Sequence, residues 1–167
     1  MKFYYYCPSI IFFMVMFTSC EKQGRDYKLE RNDFLYPLAG IIEYQQVLDA
    51  EISKIQDQPA FASFLAQRRE DMASYITEIE SICSLPKAGL TAEAQTKLSN
   101  LQNSLGAGFN KLLLRLVMEA DEDLIGLHVK ASGSAGLKDT ELRQWTAEKI
   151  PMLTKRLDAS QTLWHTK

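Results

Sequence analysis

The sequence predicts an all-α domain, a bundle of four long helices with a short helix in the connection between the second and third. Three observations carry this expectation. Four stretches repeat apolar residues in alternating steps of four and three, the spacing of a buried helix seam. No window alternates with period two or concentrates β-branched residues as a strand would. Pro and Gly punctuate the chain between the four stretches.

The first helix is expected near 34–56, with the seam Phe34, Leu38, Ile41, Gln45, Leu48, Ile52 and Ile55. Pro37 is compatible with it if placed in the first turn, where a missing N–H costs nothing. Gln58-Pro59 ends that helix and opens the next, near 59–84, because Pro suits the first helical position. Its seam is Phe61, Leu65, Arg68, Met72, Tyr75, Ile79 and Ile82, and Leu85-Pro86-Lys87-Ala88-Gly89 stops it. Thr91 is placed to cap a short helix over 91–104. The third long helix, near 107–132, carries Asn110, Leu114, Val117, Asp121, Leu124, His128 and Ala131, and Ser132 to Gly136 form the next turn. The last helix, near 138–164, carries Leu142, Thr146, Lys149, Leu153, Arg156, Ser160 and Leu163, with Pro151 inside it as a source of a kink. The connection over about 84–106 exceeds a simple turn and is long enough to cross the bundle end to end. One long crossover in a four-helix bundle is the ferritin-like arrangement.

The 167 residues are 46 % hydrophobic and 24 % charged, a globular composition sufficient for one domain. A net charge of −2 argues against a nucleic-acid binder, which needs a basic face. Cys7, Cys20 and Cys83 form no Cys-x-x-Cys pair or Cys/His cluster, so no structural zinc site is expected.

Residues 1–19 read as a signal peptide: Lys2 is the only charge before Glu21, Ile10 to Phe17 is an unbroken apolar run, and Thr18-Ser19 are small. Phe17-Thr18-Ser19-Cys20 resembles a bacterial lipobox, which implies that Cys20 takes a diacylglycerol thioether and becomes the first mature residue. Acyl chains on one end hold a protein to a bilayer without a spanning helix. Residues 20–31 are then the lipidated Cys and a charged, solvated tether, and 32–165 the bundle domain. With Cys7 removed and Cys20 capped, Cys83 has no partner for an intramolecular disulfide.

Three segments resemble a known family. Gly106-Ala107-Gly108-Phe109-Asn110 is similar to a Gly-x-x-Phe-Asp motif. Leu142 to Leu153 is similar to Leu-x-x-Phe-Ala-x-x-x-Leu-Pro-x-Leu. Pro59 to Met72 is similar to a stretch ending Asp-Asp-His. Together they resemble the domain of unknown function 4142 family, ferritin-like and often secreted, over about 33–164. The resemblance implies a bundle interior with histidines and carboxylates suited to metal. Those positions fall here on Gln45, Met72, Asn110, Asp121 and Arg156, of which Asp121 alone is a hard-metal ligand. A di-iron site needs several Glu and Glu-x-x-His pairs.

The remaining candidates point to structure more than chemistry. Asp121 and His128 share one inward stripe, where a buried Asp is expected to pair with an Arg. Two cations and one carboxylate near mid-seam therefore predict a buried polar cluster of Gln45, Arg68, Asp121 and Arg156 in which a salt bridge replaces a metal. One Arg, outnumbering the carboxylate, is expected to reach outward or to Gln45. Cys83 is expected to be a small core residue, Trp145 and Trp164 core and rim, and His165 without a role. No Gly-x-Ser-x-Gly elbow supports hydrolase chemistry. The expected function is a lipid-anchored, non-catalytic helical module of the bacterial cell envelope, facing the periplasm or the cell surface. It acts on an unknown protein or small ligand, with no cofactor and no nucleic acid. The alternative is a ferritin-like metal-binding protein with a degenerate site. A third possibility is an apolar-ligand pocket lined by Met72, Tyr75 and Leu116.

Overall fold

The computed structural model describes residues 28–55 and 59–166. The signal peptide (1–19), Cys20 and most of the expected tether lie outside the described residues. Five helices follow in order: α1 Arg31–Ile52, α2 Pro59–Ile82, α3 Ala92–Gln102, α4 Gly106–Ser132 and α5 Thr140–His165. Among the described residues there is no sheet; the one bridge pairs Leu29 with Leu137. No helix among the described residues is long and apolar enough to cross a membrane.

Local chemistry sets the ends. Thr91 caps α3 by accepting the Ala94 N–H at 3.1 Å, and Asp139 caps α5 by accepting the Leu142 N–H at 3.1 Å. Gly106 opens α4 at φ 58°, a left-handed conformation that a side chain would strain. α5 runs unbroken through Pro151.

The start of α1 differs from the expectation. The helix begins at Arg31 rather than 34, so Pro37 stands in its second turn. Two anchors draw the chain in earlier. Leu29 exchanges backbone hydrogen bonds with the α4–α5 turn, donating to Gly136 and accepting from Lys138, both at 3.0 Å. Arg31 also pairs with Asp139, and Lys138 with Glu30. Asp33 accepts the Glu30 N–H at 2.9 Å, completing a capped first turn. Leu29 to Arg31, assigned to the tether by charge density, are thus part of the packed domain.

Interhelical contacts give the topology. Arg68 and Tyr75 of α2 meet Asp121 and His128 of α4 in the same order, so these helices run parallel. Their ends can be joined only by a segment crossing the length of the molecule, and 83–105, with α3 packed on α4, does so. Phe34 meets His128 and Gln45 meets Asp121, so α1 opposes α4; His128 meets Trp145 and Asp121 meets Arg156, so α5 opposes α4. α1 and α5 each contact both α2 and α4, and α5 packs far more extensively on α4 than on α2.

The core has two apolar halves. One gathers Phe34, Leu38, Ile42, Tyr75, Ile79, Leu124, Leu142 and Trp145 near the start of α1 and α5. The other gathers Leu48, Ile52, Phe61, Leu65, Leu113, Val117 and Leu163 at the opposite end, where α3 adds Leu98 and Leu101. Met72 and Tyr75 belong to the first half and Leu116 to the second, so the three do not line a common ligand pocket.

Gly136 shows how tightly the α4–α5 turn is closed. A Cβ there would sit 2.1 Å from the Ala131 carbonyl oxygen and 2.7 Å from the Gly133 oxygen, both backbone atoms that cannot swing aside. Gly136→Ala is therefore expected to destabilise the domain by ~1–3 kcal/mol, the range for an overpacked site. Chemical denaturation of the variant checks this, and an unchanged midpoint would show that the turn has slack.

Candidate functional site

Between the two apolar halves lies a buried polar layer. It consists of Gln45 and Asp49 on α1, Arg68 on α2, Asp121 on α4, and Arg156 and Ser160 on α5, all between 0 and 6 % exposed. Asp121 is its centre. Arg68 Nη1 donates to Asp121 Oδ2 and Arg156 Nη2 to Asp121 Oδ1, both at 2.7 Å. Gln45 Nε2 donates to Oδ1 at 3.1 Å, and Ser160 Oγ reaches Oδ2 at 3.2 Å. The Gln45 amide works in both directions, because its Oε1 accepts from Arg156 Nη2 at 2.8 Å.

Gln45, Arg68, Asp121 and Arg156, the four residues expected to cluster, meet here. Asp49, which the apolar seam does not mark, accepts from Arg68 Nε at 3.0 Å and supplies the second carboxylate. Two cations therefore meet two anions, and neither arginine needs to turn outward. The signal was present: Asp49 is one helical turn beyond Gln45 and shares its face. The alternating seam ran through Leu48 instead. Of the other positions that the family resemblance singled out, Met72 is in the apolar core and Asn110 is half-buried near the start of α4.

Burial and charge compete at each arginine. Desolvation lowers both pKa values, but Asp121 and Asp49 together lift that of Arg68 above its ordinary value. Arg156 ends below its ordinary value, because burial and the neighbouring Arg68 outweigh Asp121. Each guanidinium also keeps one buried nitrogen without a partner, Nη2 of Arg68 and Nε of Arg156.

His128 lies two turns beyond Asp121, in an aromatic cluster with Phe34, Tyr75 and Trp145 at ring-centroid distances of 5.5–5.7 Å. Its Nδ1 stands 2.9 Å from the Leu124 carbonyl oxygen, which can only accept. That fixes the proton on Nδ1, and Nε2 accepts from the Tyr75 hydroxyl at 3.0 Å. Burial lowers the His128 pKa to about 4 and raises that of Tyr75 well above its ordinary value, so both are neutral. Cys83 is buried in the same half of the core, where desolvation raises its thiol pKa. Trp145 is core, Trp164 partly buried, and His165 exposed.

Chemically, the layer is a closed ion-pair network. Asp121 has both oxygens engaged, and the nearest histidine has both nitrogens engaged. Among the described residues no three His, Cys, Asp or Glu side chains gather in a way that could hold a metal ion. No family model matches the chain, and neither a curated protein nor a solved structure matches it.

Two measurements test these assignments. Asp121→Asn leaves two buried guanidinium groups with one carboxylate between them, and a loss of ~3–5 kcal/mol is expected in denaturant unfolding. A loss under ~1 kcal/mol would mean that the layer is solvated. The His128 pKa makes a separate prediction about pH. The unfolded chain binds a proton near pH 6.5, the folded chain only near 4, so the stabilisation is complete above 6.5 and is lost as pH falls towards 4. At ~1.4 kcal/mol per unit the total is ~3 kcal/mol. His128→Gln should flatten this part of the stability profile, and an unaltered profile would refute the assignment.

Proposed function

We propose that the chain is a lipid-anchored, non-catalytic helical module of the bacterial cell envelope, acting through a ligand or partner bound at its surface. The observation that carries this reading is the closed central layer. In helical bundles, cofactor and metal chemistry is built in the interior from side chains on facing helices. Here that position is filled by Asp121 bound to Arg68 and Arg156, with Gln45 and Ser160 on the same carboxylate. With both oxygens of Asp121 engaged by these donors, the layer offers no open carboxylate to a metal ion. What remains open is the outer surface.

We further propose a ferritin-like connectivity. α1, α2, α4 and α5 form a four-helix bundle with the ferritin-like connection, and α3 is an ornament of the crossover. The parallel run of α2 and α4 and the length of 83–105 support this. The anchor rests on the sequence: an apolar run closing in Phe17-Thr18-Ser19-Cys20, followed by charged residues before Leu29. Such a tether presents the bundle to the periplasm or to the cell exterior at a short distance from the bilayer.

The metal-binding alternative has less support. It would need Asp121 to release two arginines and recruit further ligands, and His128 to break both hydrogen bonds.

Cys20→Ser is expected to abolish labelling by radioactive palmitate and to move the chain from membranes to the soluble fraction, or to leave the precursor uncleaved. Equal membrane retention by the variant would defeat the anchor. Wild-type chain purified without a histidine tag should hold no stoichiometric iron, manganese or zinc, and one equivalent of any of them would favour the metalloprotein.

A further inference from the structure

The seam between α2 and α5 is open, and the cause is side-chain volume. α2 turns Ala60 and Ser63 towards it, and α5 turns Ala159 and Thr162. Small residues on two facing stripes cannot fill an interhelical gap, and α5 takes most of its packing from α4 instead. An open cavity of about 480 Å³ results, a size typical of small-molecule sites. Phe64, Met152 and Leu163 give it apolar walls.

Its inner wall carries the unusual feature. Arg68 and Arg156 both line the cavity, and each keeps a buried nitrogen without a partner, Nη2 and Nε respectively. Arg68 is 2 % and Arg156 3 % exposed. Both grip the same Asp121 carboxylate, so the two guanidinium groups are neighbours. A buried N–H without an acceptor is destabilising, and a ligand supplying the acceptor relieves it. The Arg68 guanidinium also stacks 5.4 Å from the Phe64 ring centroid, which joins the cationic wall to the apolar one. Lys155 adds a positive rim and Asp71 a negative one.

We propose that this groove binds an amphiphilic monocarboxylate, its head on the free nitrogens of Arg68 and Arg156 and its aliphatic chain along Phe64, Met152 and Leu163. The inference rests on the reading of the chain as a binding module and names the class of ligand. The two unmet donors, one on each guanidinium, equal in number the two oxygens of a carboxylate. The Asp71 carboxylate at the rim and the Asp121 charge behind the arginines disfavour a dianion such as a phosphate monoester. A neutral amphiphile fills the walls but leaves one donor without a charge-assisted partner.

The test uses the full chain reconstituted in phosphatidylcholine nanodiscs, with sodium octanoate as the probe and octan-1-ol as its neutral counterpart. Hydrogen exchange read by mass spectrometry should show saturable slowing in peptides from 60–71 and 152–163 with octanoate. Octan-1-ol should need at least ~10-fold higher free concentration, since a hydrogen bond to a charged group is worth ~1.5 kcal/mol or more. Ala159→Trp, an exposed position outside the polar layer, should remove the octanoate response without lowering the melting temperature. If the tryptophan does lower it, Ser63→Leu fills the same groove from α2. The inference is overturned by equal responses to the two probes, by no saturable response, or by an octanoate response that survives the filled groove. Loss of octanoate binding in a chain still anchored through Cys20 and free of metal defeats the groove alone. Stoichiometric metal would instead defeat the module reading while leaving the octanoate result standing.

Discussion

A single carboxylate holds the middle of this protein together. Asp121, 1 % exposed, takes hydrogen bonds from side chains on three other elements or their neighbours: Gln45 on α1, Arg68 on α2, and Arg156 and Ser160 on α5. Every long helix therefore meets at one atom group on α4. An uncompensated charge in an apolar interior is prohibitively costly, so each helix must present the right residue at the right height. Apolar packing tolerates a helix that slides by a turn far better than this layer does, and the layer thus acts as a register mark for the whole bundle.

The two apolar halves are organised by that mark. Each is built from the ordinary burial of Leu, Ile and Phe, and supplies the bulk of the stabilisation at roughly 25 cal/mol per Å² removed from water. Neither contains a charged residue at its centre. In the aromatic half the fold satisfies His128 locally with the Leu124 carbonyl and the Tyr75 hydroxyl. A neutral histidine paired in this way is a packing element with a polar edge. It becomes a liability only under acidic conditions, where the unfolded chain gains a proton that the folded chain refuses.

The same network makes the α2–α5 face chemically distinct from the others. Smaller clefts of about 310–330 Å³ lie along α1, against α2 and α3. Along α2 and α5 small residues open a path to two guanidinium groups whose charge is balanced in sum but whose hydrogen bonds are incomplete. Structure and binding capacity share one set of side chains there, because an arginine has more donors than two carboxylates and an amide in this geometry can absorb. A ligand at that groove would also stabilise the layer, coupling occupancy to the rigidity of the whole domain.

The sequence by itself determined which segments are helical and roughly where each one stops, although α1 ends at Ile52, short of the expected 56 and of the seam residue Ile55. Seam period, Pro59, Thr91, Asp139 and the Ser132–Gly136 cluster act within a few residues of chain, so their consequences can be read without knowing the fold. It also determined that Gln45, Arg68, Asp121 and Arg156 face inward near mid-helix, since a polar residue in an apolar seam has nowhere else to point. Tertiary structure alone decided three matters. The first is that Asp49, one step off the seam, turns in to balance the second arginine. The second is that Leu29 to Arg31 dock on the α4–α5 turn, extending α1 beyond the start its apolar pattern marks. The third is that the open groove lies between α2 and α5 rather than around Met72, Tyr75 and Leu116. All three depend on distances between segments far apart in the chain: a charge is buried or a gap left empty only according to which side chains the opposing helix brings to the same height.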